Sequence, residues 1–255
     1  MDPKRILLIR LDRIGDVILS TPAIKALRDK LPDSYIAFMV GPHAYELVKD
    51  NPYLNEVIIY DKNSAQRSFI ASFKFARELR KKKFDMAIAF HPTLRSHLIP
   101  FIAGIPRRIG YDRKGSIFLT EKVIHEKEQG EFHEAEYVLK MLEVLGVKSS
   151  DKTLYLKVNE DSLKKIKEEF LNLGINESKK IVAIHPGASS VSKKWPIERF
   201  AEIADYIVKN FNVKIALVAG KSDAEHAKKI YKYLKSDQSN IIDLAGKTTL
   251  GELAA

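Results

Sequence analysis

The chain has 255 residues, 45% hydrophobic and 30% charged, enough to bury a real core and to form two domains. Lys and Arg outnumber Asp and Glu by 43 to 33, a formal charge of +10 that favours anionic partners. With no Cys there are no disulfides and no thiolate metal sites, and no apolar run approaches the ~20 residues that cross a bilayer.

Met1-Asp2-Pro3-Lys4-Arg5 leads directly into an apolar segment, so no signal peptide is expected and a cytoplasmic location fits. Strands are predicted at Arg5–Arg10, Tyr35–Val40, Glu56–Tyr60, Asp85–Phe90 and Arg107–Tyr111, then at Ile181–His185, Lys214–Ala219 and Ile241–Leu244. Helical patterns fall between and after them at Pro22–Lys30, Tyr45–Asp50, Phe69–Lys83, Ala135–Leu145, Asp161–Leu173, Pro196–Asn210 and Ala224–Leu234. Lys62–Ser72 and Asp112–Gly130 are expected to be loops or excursions. The alternation predicts an α/β fold with parallel sheets covered by helices on both faces. A charged helix between Tyr155 and Lys180 separates two groups of strands, giving two doubly wound, Rossmann-like domains, residues 1–158 and 159–255, expected to face a cleft. The second is expected to be truncated at its C-terminus.

Two strand ends carry candidate chemistry. The strand Arg5–Arg10 empties into Leu11-Asp12-Arg13-Ile14-Gly15-Asp16-Val17-Ile18, read as a glycine-containing turn before a helix. Ligands of open α/β sheets sit at the carboxyl ends of strands, so Asp16 is placed at such a rim as a carboxylate base, or else as a helix N-cap. The strand Ile181–His185 empties into Pro186-Gly187-Ala188-Ser189-Ser190, followed by Lys193-Lys194-Trp195-Pro196. Backbone N–H groups, two hydroxyls, a lysine and a helix start form a recipe for holding phosphate; alternatively this is a capped turn with Trp195 anchored in the core.

Gly15-Asp16-Val17-Ile18, Thr21-Pro22-Ala23, His185-Pro186-Gly187-Ala188-Ser189 with Lys193-Lys194-Trp195-Pro196, and Leu244-Ala245-Gly246-Lys247-Thr248 occur in that order along the chain. Together they resemble the lipopolysaccharide heptosyltransferases, glycosyltransferase family 9. Family members usually continue through an Asp-Thr-Gly-Pro-x-His segment that helps bind the donor, and that string is absent here. The resemblance implies a GT-B type architecture with an acceptor-binding first domain and a nucleotide-sugar-binding second domain. It implies an inverting transfer of heptose from ADP-heptose to the inner core of lipopolysaccharide, without a cofactor or bound metal, with Asp16 as base. Ser189, Ser190 and Lys193 would take the donor diphosphate, and Glu225 the ribose, with Asp223 nearly as good a match. His133, at the start of a long helix, and Arg113 would contact the acceptor, and His91 follows a strand end where it could face the cleft. The implied partners are a nucleotide sugar and a lipopolysaccharide core acceptor at the inner membrane surface. Basic clusters at Arg77–Lys83, Arg107-Arg108 and Arg113-Lys114 suit such an acceptor, whereas nucleic acid is disfavoured by the lack of zinc spacing or any recognisable reading motif. The remaining alternatives are a family 9 transferase for another sugar or polysaccharide, and a nucleotide-binding module without turnover.

Overall fold

The computed structural model describes residues 3–175 and 180–255, and the chain divides into two units, Met1–Lys157 and Val158–Ala255. The first is built on β1 (Arg5–Arg10), α1 (Ile14–Ile18), α2 (Thr21–Lys30), β2 (Tyr35–Val40), α3 (Pro42–Val48), β3 (Glu56–Ile59), α4 (Phe69–Arg80), β4 (Met86–Ala89), α5 (Leu94–Ile102), β5 (Arg107–Tyr111), β6 (Glu121–Val123) and α6 (Glu134–Met141). The second contains α7 (Glu160–Asn172), β7 (Lys180–Ile184), α8 (Ile197–Asn210), β8 (Val213–Leu217), α9 (Ala224–Lys228), β9 (Ile241–Asp243) and α10 (Leu250–Ala254).

In the first unit six parallel strands run in the order β3-β2-β1-β4-β5-β6, the doubly wound arrangement in which strand order reverses beside β1. The register pairs Ile9 with Met39 on one side and with Ala89 on the other. Because β1 is central, its Ile6, Leu7, Leu8 and Ile9 are all fully buried, which explains an uninterrupted apolar run where a one-faced strand would alternate. Leu7 and Ile9 pack with Ala76 and Leu79 of α4 and Ile99 of α5 on one face. Ile6 and Leu8 pack with Ile24 and Leu27 of α2, Val48 of α3 and Val138 of α6 on the other. The second unit has three parallel strands in the order β7-β8-β9, with Ala201 and Ala204 of α8 and Ala227 of α9 against Ile215 and Leu217.

Three elements differ from expectation. The Gly15-Asp16 turn is a short helix, α1, whose Val17 is fully buried. A helix not predicted, α5, starts at a Thr93/Ser96 capping box and tolerates Pro100 in its interior; the internal proline, which removes a helical donor, hid it. The Asp112–Gly130 excursion contains the edge strand β6, paired through Tyr111↔Val123. Trp195 is 44% exposed, resting edge-on against Phe200 with ring centroids 5.1 Å apart, so it is not the core anchor that its size suggested. Expectations bearing on residues 176–179 lie outside the described residues.

Gly110, buried in β5, has no room for a side chain: an added Cβ would lie 2.9 Å from His97 Nε2 and 3.2 Å from Leu119. Gly110→Ala should therefore destabilise the first unit by about 1–3 kcal/mol, the usual cost of overpacking a core. Urea denaturation monitored by circular dichroism checks this.

Candidate active site

The reversal of strand order beside β1 leaves a crevice at the carboxyl ends of β1 and β4. There the chain forms a cavity of about 530 Å³. Arg10, Asp12, Arg13 and Asp16 reach it from the end of β1 and α1, and His91 and Pro92 from the end of β4. Arg113, Lys114, His125 and Lys127 enter from the segment after β5, and Glu134 from the first residue of α6.

The centre of this cluster is Arg10, only 2% exposed. Its Nε donates to Asp12 Oδ1 at 2.6 Å and its Nη1 to Glu134 Oε1 at 2.8 Å. Nη1 also donates to the Phe90 carbonyl at 3.3 Å, tying the guanidinium to the end of β4. Nη2 lies 3.4 Å from Asp16 Oδ1. Burial opposes the Arg10 charge, but Asp12 and Glu134 more than offset it, and the guanidinium titrates above its ordinary value.

Three carboxylates around one cation are not equivalent. Burial pushes Asp12 up, but its direct contact with Arg10 outweighs that and holds it below the usual carboxylate range. Asp16 goes the other way. Partial burial raises it most, the Arg10 charge pulls it back down, and Asp12 and Glu134 raise it again, leaving it above the usual carboxylate range. Asp16 is also the most open of the three, with its side chain 28% exposed. It occupies the first turn of α1 and is not the N-cap; Arg13 is.

His91 places Nδ1 3.2 Å from Asp12 Oδ2, and burial lowers its pKa despite that neighbour. The carboxylate can only accept, so Nδ1 carries the proton of the neutral ring and Nε2 remains an acceptor. Lys127 bonds Glu134 and lies 5.1 Å above the Tyr111 ring, and its pKa is lowered chiefly by burial. Arg113 is engaged by Glu128 and sits 3.5 Å from His125 Nδ1. Arg13 and Lys114 have no carboxylate partner among the described residues.

His133 is placed differently from Arg113. It is the N-cap of α6: its Nδ1 accepts from Ala135 N and its own N–H donates to Glu136 at 2.8 Å. It does not line the cavity, whereas its neighbour Glu134 does. Sequence reading passed over Arg10, Asp12, Lys127 and Glu134. The available signal was Arg10 itself, a charge closing an otherwise apolar strand.

In the second unit, parallel strands bring three loops to one rim. After β7, the N–H groups of residues 187–190 donate to no protein acceptor among the described residues. Ser189 and Ser190 are exposed, and Ser190 Oγ pairs with Ser192 Oγ at 2.8 Å. Lys193, in a 3₁₀ turn spanning Val191–Lys193, is exposed and has no carboxylate partner among the described residues. Lys194 lies 3.7 Å from Asp223. Asp223 stands directly beside the Gly187 turn: a Cβ on Gly187 would lie 3.3 Å from it. Glu225, two residues on, is 88% exposed, with Lys228 at 3.4 Å. Loop three, after β9, adds Lys247, paired with Asp243 at 3.0 Å.

The profile of glycosyltransferase family 9 (heptosyltransferase) matches residues 72–255. The chain belongs to that family. Among curated relatives it is 25% identical to a lipopolysaccharide core heptosyltransferase of Haemophilus influenzae, over 99% of this chain and 70% of that protein. It is likewise 25% identical to lipopolysaccharide heptosyltransferase 2 of Salmonella typhimurium, over 96% of this chain and 72% of that protein. Of solved structures, a family 9 glycosyltransferase from Veillonella parvula superposes with a TM-score of 0.88 at 28% identity, covering 98% of this chain and 72% of that one. The Escherichia coli ADP-heptose heptosyltransferase II shares the fold with a TM-score of 0.78 at 23% identity, covering 98% of this chain and 75% of that one. This family 9 member is thus a glycosyltransferase with the α/β fold of the heptosyltransferases. No helix among its described residues is long and apolar enough to cross a membrane.

Removing the hub should leave Asp12 and Asp16 without their cation and Glu134 with Lys127 alone. Arg10→Met is expected to cost about 3–5 kcal/mol, the range for breaking a buried ion pair from one side. Chemical denaturation with Arg10→Lys as the charge-preserving comparison measures it; Lys should recover part of the loss, because one ammonium cannot reproduce the forked donors to Asp12 and Glu134.

Proposed function

We propose that this family 9 transferase moves heptose from ADP-heptose to the inner core of lipopolysaccharide in one displacement with inversion at the anomeric carbon. The acceptor hydroxyl oxygen forms the new bond to that carbon as the bond to the donor diphosphate breaks. The hydroxyl proton goes to Asp16, and ADP leaves carrying the negative charge. The observation that carries this reading is the pair Asp12 and Asp16: two carboxylates at one strand end whose environments push them apart. Asp12 is committed to Arg10, and Asp16 keeps an open side with a raised affinity for a proton, the property a general base needs.

In the same reading the unpaired Arg13 and Lys114, with Arg113, attract an acidic acceptor, and His91 Nε2 is available to accept from an acceptor hydroxyl. His133 serves the acceptor indirectly by capping the helix that carries Glu134. On the donor side, the free N–H groups of residues 187–190, Ser189, Ser190 and Lys193 receive the diphosphate and stabilise its growing charge. Glu225 takes the ribose in the family pattern, while Asp223 is the carboxylate nearer the Gly187 turn. The donor and acceptor classes rest on the relatives' names, which specify ADP-heptose and lipopolysaccharide core. The enzyme would act from the cytoplasmic side of the inner membrane, without a bound metal.

Asp16→Asn in the full-length protein should lower turnover by about 10²–10⁴ while ADP binding stays nearly intact. In the wild type the rate should rise with pH through the Asp16 pKa, because only the ionised form accepts a proton, and this limb should lie above the usual aspartate range. A raised carboxyl pKa also means that the folded state holds its proton longer than the unfolded one. Stability contributed by the protonated form is thus lost as pH rises through the folded pKa. The melting temperature of Asp16→Asn at neutral pH should therefore equal or exceed that of the wild type. Turnover within a few-fold of wild type would remove Asp16 from the base role.

Lys193→Ala should weaken ADP binding by about 1–3 kcal/mol, the worth of a charge-assisted hydrogen bond. Lys194→Ala should do less, since Lys194 is already shared with Asp223. Calorimetric titration with ADP distinguishes the two; equal affinities in wild type and Lys193→Ala would leave Lys193 a solvated turn residue.

A further inference from the structure

Helix α4 turns Ser72, Ala76 and Leu79 into the core and a very different surface outward. At its first turns Phe69 is 71% exposed, Ile70 72% and Phe73 48%. Along the same outer face, at the i+3, i+4 and i+7 spacings from Ile70, come Phe73, Lys74 and Arg77, followed one turn later by Lys81. Glu78 is the one acidic residue of the helix, and it is paired with Lys81 at 2.7 Å. Lys74, Arg77 and Lys83 have no carboxylate partner among the described residues, and they border an open depression of about 940 Å³ lined by charged side chains.

This surface is held in place. Ser68 caps the helix by accepting from Ala71 N at 3.1 Å. Arg95 of α5 donates to the carbonyls of Lys62, Gln66 and Arg67 at 3.2, 3.1 and 2.6 Å, fixing the segment that leads into Phe69. On the neighbouring α5, which packs on the same face of the sheet, Leu94 and Phe101 are also exposed, 45% and 48%. Water is a poor environment for such a rigid set of large apolar side chains.

We propose that the outer face of α4 docks on a bilayer surface rich in anionic lipid. Phe69, Ile70 and Phe73 enter the boundary between headgroups and acyl chains, while Lys74, Arg77 and Lys81 extend along their aliphatic stems to lipid phosphates. Charge complementarity selects this occupant. An apolar protein partner would leave the three cations without use, and a nucleic acid would leave Ile70 and the flanking Leu94 exposed. The docking is a property of the first unit's surface and does not depend on the reaction proposed above.

The test is co-sedimentation of the full-length protein with vesicles of phosphatidylcholine alone or mixed with phosphatidylglycerol, without any sugar substrate. The expected result is binding to the mixed vesicles that weakens with salt and is much poorer on phosphatidylcholine. Because one Lys or Arg near an anionic surface is worth about five-fold in binding, the triple variant Lys74→Gln/Arg77→Gln/Lys81→Gln should lose on the order of a hundred-fold. The variant Phe69→Ser/Ile70→Ser/Phe73→Ser should also lose at least about ten-fold, including at low salt, because burial of three apolar side chains is lost. Lys228→Gln/Lys229→Gln/Lys232→Gln, which removes the same charge from the second unit, should bind like wild type. These substitutions lie on exposed positions, apart from the half-buried Lys228, and unchanged far-ultraviolet dichroism verifies the fold. Binding equal on both kinds of vesicle, unaffected by the α4 variants, or reduced equally by the second-unit variant would overturn the proposal. So would absence of vesicle binding alongside tight, α4-dependent binding of a single-stranded oligonucleotide, which would assign the face to nucleic acid.

Discussion

A guanidinium buried at the carboxyl end of the central strand must be compensated where it stands, and much of the first unit's chemistry follows from how this is done. Desolvating a charge costs several kcal/mol even after relaxation, so Arg10 is tenable only with partners in good geometry. Asp12 and Glu134 provide direct bonds, and the Phe90 carbonyl provides a third acceptor from β4. One side chain thereby links the ends of two adjacent strands, the start of α1 through Asp16, and the first residue of α6. The last of these connections spans 124 residues of sequence. The unequal sharing of this cation is what separates the carboxylates. Asp12 takes its closest contact and stays ionised, while Asp16, farther away and near two negative neighbours, holds its proton more strongly. Two residues of one type four positions apart acquire different acidities from position alone.

This also marks the limit of what the sequence displays. The apolar run of β1, the spacing of strands and helices, and the strand–glycine–helix transitions are local, and they gave the parallel α/β architecture. The family motifs, likewise contiguous, located both strand ends. Arg10 looked like the polar end of a strand because nothing near it in sequence announces Glu134 or Lys127. His133 drew notice as a titratable residue at a helix start, yet the helix geometry turns it into a cap and sends the next residue, Glu134, to the cavity. The same locality explains the missed helix α5. Its apolar stretch and internal Pro100 mask a periodicity that becomes clear only once Ile99 and Ala103 are seen against the sheet.

The second unit distinguishes neighbouring residues in a similar way. Lys193 and Lys194 are equivalent in composition, but the 3₁₀ turn separates their directions, and Asp223 engages only Lys194. The same carboxylate lies against the glycine turn, where a Cβ on Gly187 would sit tightly, 3.0 Å from the His185 ring and 3.3 Å from Asp223. The glycine is thus favoured by close approach, since its backbone carries no positive φ. What results is a turn with free N–H groups whose nearest anion is already partly neutralised by a lysine. In the donor role proposed above, such a turn would receive phosphate more readily than a bare helix terminus, because the competing carboxylate has its own counter-charge.

Across the first-unit cavity the charges do not cancel. Five Lys and Arg side chains face three carboxylates, and the two histidines, both with lowered pKa values, are neutral at pH 7. The three carboxylates, however, are drawn in toward Arg10 and Lys127, so the inner cluster is close to balanced and the excess sits outside it on Arg13 and Lys114. An anion approaching the cavity therefore meets uncompensated cations first and the carboxylates only at depth. In the reaction proposed above, this ordering would let a carboxylate base work beside an acidic substrate: the outer cations would attract the anionic groups and hold them away from Asp16, leaving a neutral hydroxyl as the group that can reach it. In that proposal steering and proton transfer, which would otherwise oppose each other, fall to different side chains of one cavity.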